Sequence, residues 1–129
     1  MDKKKNILII DDDLHIRRIL EIKLKNNGYN TLIAKNGNEG LEIINDQKPD
    51  VVISDLNMPG IDGKTLCRLT NPIKKESTFL TIIITGRVNP NEQKWIDEMQ
   101  DIMFMEKPFS PSKILNSIDH YFEKAPPNF

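Results

Sequence analysis

Ile7-Leu8-Ile9-Ile10-Asp11-Asp12-Asp13 and Val51-Val52-Ile53-Ser54-Asp55 are the stretches that decide the fold. Each is a short apolar run that stops on acid. Such a run reads as a strand buried on both faces. A carboxylate just past its end is aimed at the C-terminal edge of the sheet, where open α/β sheets bind ligands. Two further runs end the same way with other chemistry. Thr81-Ile82-Ile83-Ile84 delivers Thr85, and Ile102-Met103-Phe104-Met105 leads to Lys107. Four strand ends therefore offer acid, acid, hydroxyl and ammonium to one crevice. That set suits a divalent metal and a phosphoryl group.

Working outward, helical spacing separates the strands. Leu14, Ile16, Ile19, Leu20 and Leu24 recur as on one helix, and Gly28 stops it. Thr31-Leu32-Ile33-Ala34 reads as a second, short strand. Asn36-Gly37-Asn38 turns into a helix carrying Leu41 and Ile44 and ended by Pro49. Pro59-Gly60 and Asp62-Gly63 mark a tight loop. A short helix with Leu66 and Leu69 follows and is expected to stop near Pro72. The fourth strand is Leu80 to Ile84. Asn89-Pro90 pairs an N-cap with a first-turn proline and starts a helix carrying Ile96 and Met99. Ser110-Pro111 starts the last helix, with Ile114, Ile118 and Phe122 at spacings of four. Five strand–helix alternations imply an α/β fold, a parallel sheet covered on both faces. Strands one, three and four are richest in Val, Ile and Leu and belong in the centre. Order 2-1-3-4-5 satisfies this and sets Asp11 and Asp12 beside Asp55 at the switch point.

A chain of 129 residues fits one domain. Its 38% hydrophobic and 29% charged content is that of a globular protein and not a disordered one. A net charge of -1 gives no basic field to favour nucleic acid or membrane. No apolar stretch nears the roughly 20 residues of a membrane helix. Nothing at the N-terminus reads as a secretory signal, so a cytoplasmic location is expected. Cys67 is the single cysteine, which rules out an intrachain disulfide and reads as a packing residue. One domain is expected over residues 1–124, with 125–129 as a tail or the start of a linker.

Three carboxylates about 5 Å apart repel by about 3 kcal/mol per pair at an effective dielectric of 20. Lys107 offsets part of this. A divalent cation offsets more, and hard oxygen ligands suit Mg²⁺, with Mn²⁺ as the substitute. Mg²⁺ takes one or two carboxylates and keeps waters, which leaves Asp55 free as a nucleophile. A carboxylate attacking phosphorus gives an aspartyl-phosphate. Singly, these residues say little: Asp12 or Asp13 could cap the first helix. Their joint placement at four strand ends is the signal.

The segments Ile7 to Asp13, Ser54-Asp55-Leu56-Asn57-Met58-Pro59-Gly60-Ile61-Asp62-Gly63, Ile84-Thr85-Gly86 and Glu106-Lys107-Pro108-Phe109 together resemble the receiver domain of two-component response regulators. The resemblance covers residues 6 to about 123. It implies a flavodoxin-like (βα)5 fold in the order 2-1-3-4-5, so that order has two non-independent sources. It implies Asp55 as phosphoacceptor and also a Mg²⁺ ligand, Asp12 as a direct Mg²⁺ ligand, and Asp11 as a ligand mainly through water. The backbone carbonyl of Asn57 would be a further metal ligand. Thr85 and Lys107 would contact the phosphoryl group, and Phe104 would be the aromatic switch residue. The Lys107-Pro108 bond is expected to be cis. The implied partner is a sensor histidine kinase or phosphotransfer protein, with no direct nucleic-acid contact and no membrane contact. Phosphorylation would reshape the surface of the fourth helix, fifth strand and fifth helix, where a phosphorylation-linked homodimer would form.

The chain departs from the family pattern at Met99-Gln100-Asp101, where a small residue and glycine usually stand. Trp95 reads equally as a packing residue and as an exposed partner anchor. Arg87, two residues past Thr85, is expected at the mouth of the site. His15 and His120 read as surface residues, since the phosphohistidine of this chemistry belongs to the partner. An alternative is a Mg²⁺-dependent phosphatase with an aspartyl nucleophile. Such enzymes place a second Asp two residues on, where this chain has Asn57. A phosphorylation-independent interaction module is the other alternative. The favoured reading is a switch and not a turnover enzyme.

Overall fold

The computed structural model describes residues 4–86, 91, 94–95 and 98–124. Its elements are β1 (Asn6–Ile10), α1 (Leu14–Lys25), β2 (Asn30–Ala34), α2 (Gly37–Gln47), β3 (Val51–Asp55), α3 (Gly63–Lys74), β4 (Leu80–Thr85), β5 (Ile102–Glu106) and α4 (Pro111–Lys124). The strands form one parallel sheet in the order β2-β1-β3-β4-β5, as expected. The Asn89-Pro90 helix start, Ile96, Arg87 and the tail 125–129 lie outside the described residues. Asn91, Lys94 and Trp95 are helical.

Side-chain alternation divides the core between the two faces. Ile7, Ile9, Val51, Ile53, Ile82 and Ile84 pack under Leu20 and Leu24 of α1 and Ile114, Leu115 and Ile118 of α4. Leu8, Ile10 and Val52 face the other way, under Ile44 of α2 and Leu66 of α3. Beside them, Ile83 packs with Leu56, Cys67 and Trp95.

Two expectations need correction and a third is sharpened. Asp55 and Thr85 are the last residues of β3 and β4, not the first of their loops, because Ile84 and Glu106 are there to pair with them. On α1, Leu14 and Ile19 are 51% and 41% exposed, so only part of the apolar spacing faces the core. Helix α3 runs through Pro72 to Lys74. Proline at this position gives up its own N–H bond and crowds the Arg68 carbonyl, and the helix ends two residues later. Beyond it, Ser77 N–H still reaches the Ile73 carbonyl at 2.9 Å.

The end of α3 also explains the missing glycine. Lys74 is 2% exposed, and its ammonium donates to the carbonyls of Gln100 at 2.7 Å and Asp101 at 3.0 Å. Asp101 takes the left-handed conformation, φ 52. Aspartate tolerates that region better than most residues. The bend that glycine usually makes is here made by Asp101 and fastened by a buried lysine.

Candidate functional site

Register brings the site together. Ile10 pairs with Ser54, so Asp11 follows beside Asp55. Thr85 pairs with Glu106, so Lys107 lies one residue past the ladder. The Lys107 N–H donates to the Thr85 carbonyl at 2.7 Å. Its ammonium meets Asp55 Oδ2 at 3.2 Å. The Lys107–Pro108 bond is cis.

Carboxylate oxygens of Asp11, Asp12 and Asp55 all lie within 4.8 Å of one another. Asp11 and Asp55 are buried and Asp12 is exposed. Asp11 is held on every side but one. Its N–H donates to the Ala34 carbonyl at 3.2 Å, and its carbonyl accepts from Arg17 Nη1 at 2.8 Å. Its Oδ1 accepts from the Asp13 N–H at 2.8 Å. Its Oδ2 is buried without a hydrogen-bond partner among the described residues. Burial pushes the Asp11 carboxyl up to about 6, and the charges of Asp55 and Asp12 add to this. The Asp13 N–H and the Lys107 charge pull the other way. A buried acceptor with no donor is costly. A hard divalent cation would satisfy it, and the all-oxygen donor set fits one.

The remaining residues take distinct places. Asp13 caps α1 by accepting from the His15 N–H at 2.8 Å. His15 and His120 are exposed. Asn57 is on the loop after β3, and its N–H donates to Asp55 Oδ1 at 3.4 Å. Thr85 is buried. Phe104 is half-buried and lies outside the acidic pocket, paired with Ile83 on the other face of the sheet. Trp95 is buried against it, which decides for packing over the exposed anchor. Cys67 is buried too, and burial pushes its thiol up to about 12, as suits an inert packing residue.

Two supporting residues escaped the sequence reading. Arg17 ties the first turns of α1 to the Asp11 carbonyl, and a basic residue so near a helix start was the available signal. Gly63, read only as a turn marker, opens α3 against Asp55. A Cβ there would stand 2.8 Å from the Asp55 carbonyl oxygen. Asp62 caps the helix through the Thr65 N–H at 2.8 Å.

The family model described as response regulator receiver domain matches residues 7–119. The chain belongs to that family. A receiver domain of a two-component system is thus what its sequence and its sheet both describe. A probable transcriptional regulator ycf27 of Porphyridium aerugineum is 34% identical over 129 residues, 98% of this chain and 52% of the relative. The chain spans about half the length of the curated relatives it matches. The receiver domain of Francisella response regulator 1452 superposes with a TM-score of 0.83 at 26% identity, covering 95% of this chain and 100% of that one. A CheY-like receiver domain protein of Methanospirillum hungatei JF-1 agrees in fold, with a TM-score of 0.85 at 24% identity over 95% of this chain and 96% of that one. Among the described residues of this receiver domain, no helix is long and apolar enough to cross a membrane.

Proposed function

We propose that this receiver domain accepts a phosphoryl group on Asp55 from the phosphohistidine of a sensor kinase or phosphotransfer protein. The observation that carries the reading is the gathering of Asp11, Asp12 and Asp55 within 4.8 Å, with Lys107 at 3.2 Å from Asp55. A carboxylate oxygen of Asp55 attacks phosphorus, the phosphorus–nitrogen bond breaks, and the imidazole leaves with the bond's electron pair and takes up a proton. Lys107 neutralises charge on the incoming group, since positioning and charge neutralisation dominate phosphoryl transfer. Asp11, Asp12 and the Asn57 carbonyl would hold Mg²⁺, which supplies further neutralisation of the phosphoryl oxygens when bound. Thr85, at the end of β4, donates its hydroxyl to the new phosphoryl group.

In this reading residues 1–124 are the switching unit, and Asp55 ends as an acyl phosphate instead of turning over an external substrate. Thr85 and Phe104 carry the event to the β5–α4 side of the molecule. That surface meets partner protein or a second copy, and the net charge of -1 argues against a nucleic-acid surface here.

The test is a mass measurement after incubation with Mg²⁺ and a small phosphodonor. One phosphoryl adduct is expected, absent without Mg²⁺ and absent in Asp55→Asn. Steady release of phosphate from a phosphomonoester with no adduct would favour a phosphatase instead.

A further inference from the structure

Phe104 is held by an aromatic neighbour that the receiver chemistry leaves unused. Trp95 is the one tryptophan in the chain. It is 7% exposed, and its ring meets Phe104 edge-to-face at 5.5 Å between centroids. Leu56, Cys67 and Ile83 complete the cluster, and Met99 and Ile102 pack against it. The Lys64 ammonium stands 5.9 Å from the centre of the Trp95 ring.

This cluster touches the acceptor's own backbone. Leu56 follows Asp55 directly. Its N–H donates to the Ile84 carbonyl at 2.9 Å, and its carbonyl accepts from the Gly63 N–H at 2.9 Å. Gly63 leaves no room for a Cβ against the Asp55 carbonyl, and Lys64 is the next residue. A shift of the Asp55 loop therefore moves Leu56 and the first turn of α3, and both bear on Trp95.

We propose that Trp95 is a positioning residue for the switch. It holds Phe104 in its half-buried place, and Leu56 and Lys64 bring the state of Asp55 to it. The proposal rests on the reading of Asp55 and Phe104 given above. An edge-to-face pair of this kind biases a two-position equilibrium by about two- to tenfold. Weakening it favours the phosphorylated arrangement, and a change that favours that arrangement also favours phosphoryl uptake.

The experiment reads Trp95 emission and protein mass in the same sample, with Mg²⁺ and acetyl phosphate. The wild type is expected to show an adduct together with a change in emission, both absent in Asp55→Asn. Phe104→Leu is expected to shrink the emission change per adduct. Thr85→Ala is expected to leave part of it, and Lys64→Gln to diminish that remainder. Trp95→Leu is expected to speed adduct formation about two- to tenfold. An adduct with unchanged emission overturns this proposal alone. So does a full change in Phe104→Leu, or its complete loss in Thr85→Ala despite an adduct. A wild-type sample with no adduct overturns the phosphoacceptor reading, and this proposal with it.

Discussion

Asp11 and Lys74 are both charged and both 2% exposed, yet they sit at opposite edges of the sheet and are treated in opposite ways. The Lys74 ammonium is completed by the protein: two carbonyls accept from it, and the Phe79 ring lies 4.7 Å away. Asp11 is fixed by three hydrogen bonds and still keeps one oxygen unanswered. Burial pushes both toward neutrality, Lys74 down to about 8 and Asp11 up to about 6. The lesson lies in the difference. A buried charge that the fold satisfies fixes structure. One left incomplete by an otherwise rigid setting is matched to something from solution.

The comparison can be broken at its open end first. Asp55→Asn is expected to abolish phosphoryl uptake entirely, by mass, while urea denaturation still shows a cooperative fold. The next effect is on pH dependence. Asp11 keeps its proton more tightly in the folded chain, so metal-free stability falls as pH rises from about 4 through about 6. The fall attributable to this group is about 3 kcal/mol at most. Asp11→Asn should remove it and make the metal-free chain more stable than wild type at pH 7. Mg²⁺ at pH 7 should restore much of the loss in the wild type. Urea midpoints between pH 4 and 7, with and without Mg²⁺, check both.

Lys74 predicts the mirror image. The folded chain gives up this proton near pH 8, while the unfolded chain keeps it until about 10.5. Stability due to Lys74 therefore rises with pH across that window, by at most about 3 kcal/mol. The rise should appear in wild type minus Lys74→Met, and Mg²⁺ should not touch it. If Mg²⁺ flattened both windows alike, the contrast between the two charges would be wrong. The smallest effect is at the cap beside the site: Asp13→Ala should cost about 1 kcal/mol in thermal or urea unfolding.

The strands, their order and the acidic cluster were legible because buried parallel strands write themselves as continuous apolar runs. Their last residues carry the chemistry, so the site came with the strands. What was hidden depended on partners far away in the chain. Lys74 reads as a solvated lysine until it is seen in line with Gly63, Leu66, Cys67 and Thr70, the buried stripe of α3. Leu69, the other apolar residue read on this helix with Leu66, is 46% exposed. Hydrophobic residues are common on surfaces, so apolarity alone assigns a face poorly. The end of α3 near Pro72 was legible, but what fastens it, the Lys74 ammonium on the Gln100 and Asp101 carbonyls, is tertiary and was not. Arg17 and Gly63 act through backbone atoms of the site, a role that residue type does not announce.

The sheet's edge has one more consequence, for motion. The residues of β3 and β4 are buried throughout, whereas every residue of β5 is at least partly exposed, and β5 has a neighbour on one side only. A strand with fewer buried contacts has lower local stability, so its amides are expected to exchange faster than those of β3 and β4. Lys107 follows β5 directly and Phe104 lies within it, so a local opening of β5 is expected to displace both together. Asp11 and Asp55, at the ends of the buried central strands, are expected to keep their places when it does. Amide exchange that is faster in β5 than in β1 and β3 would bear this out.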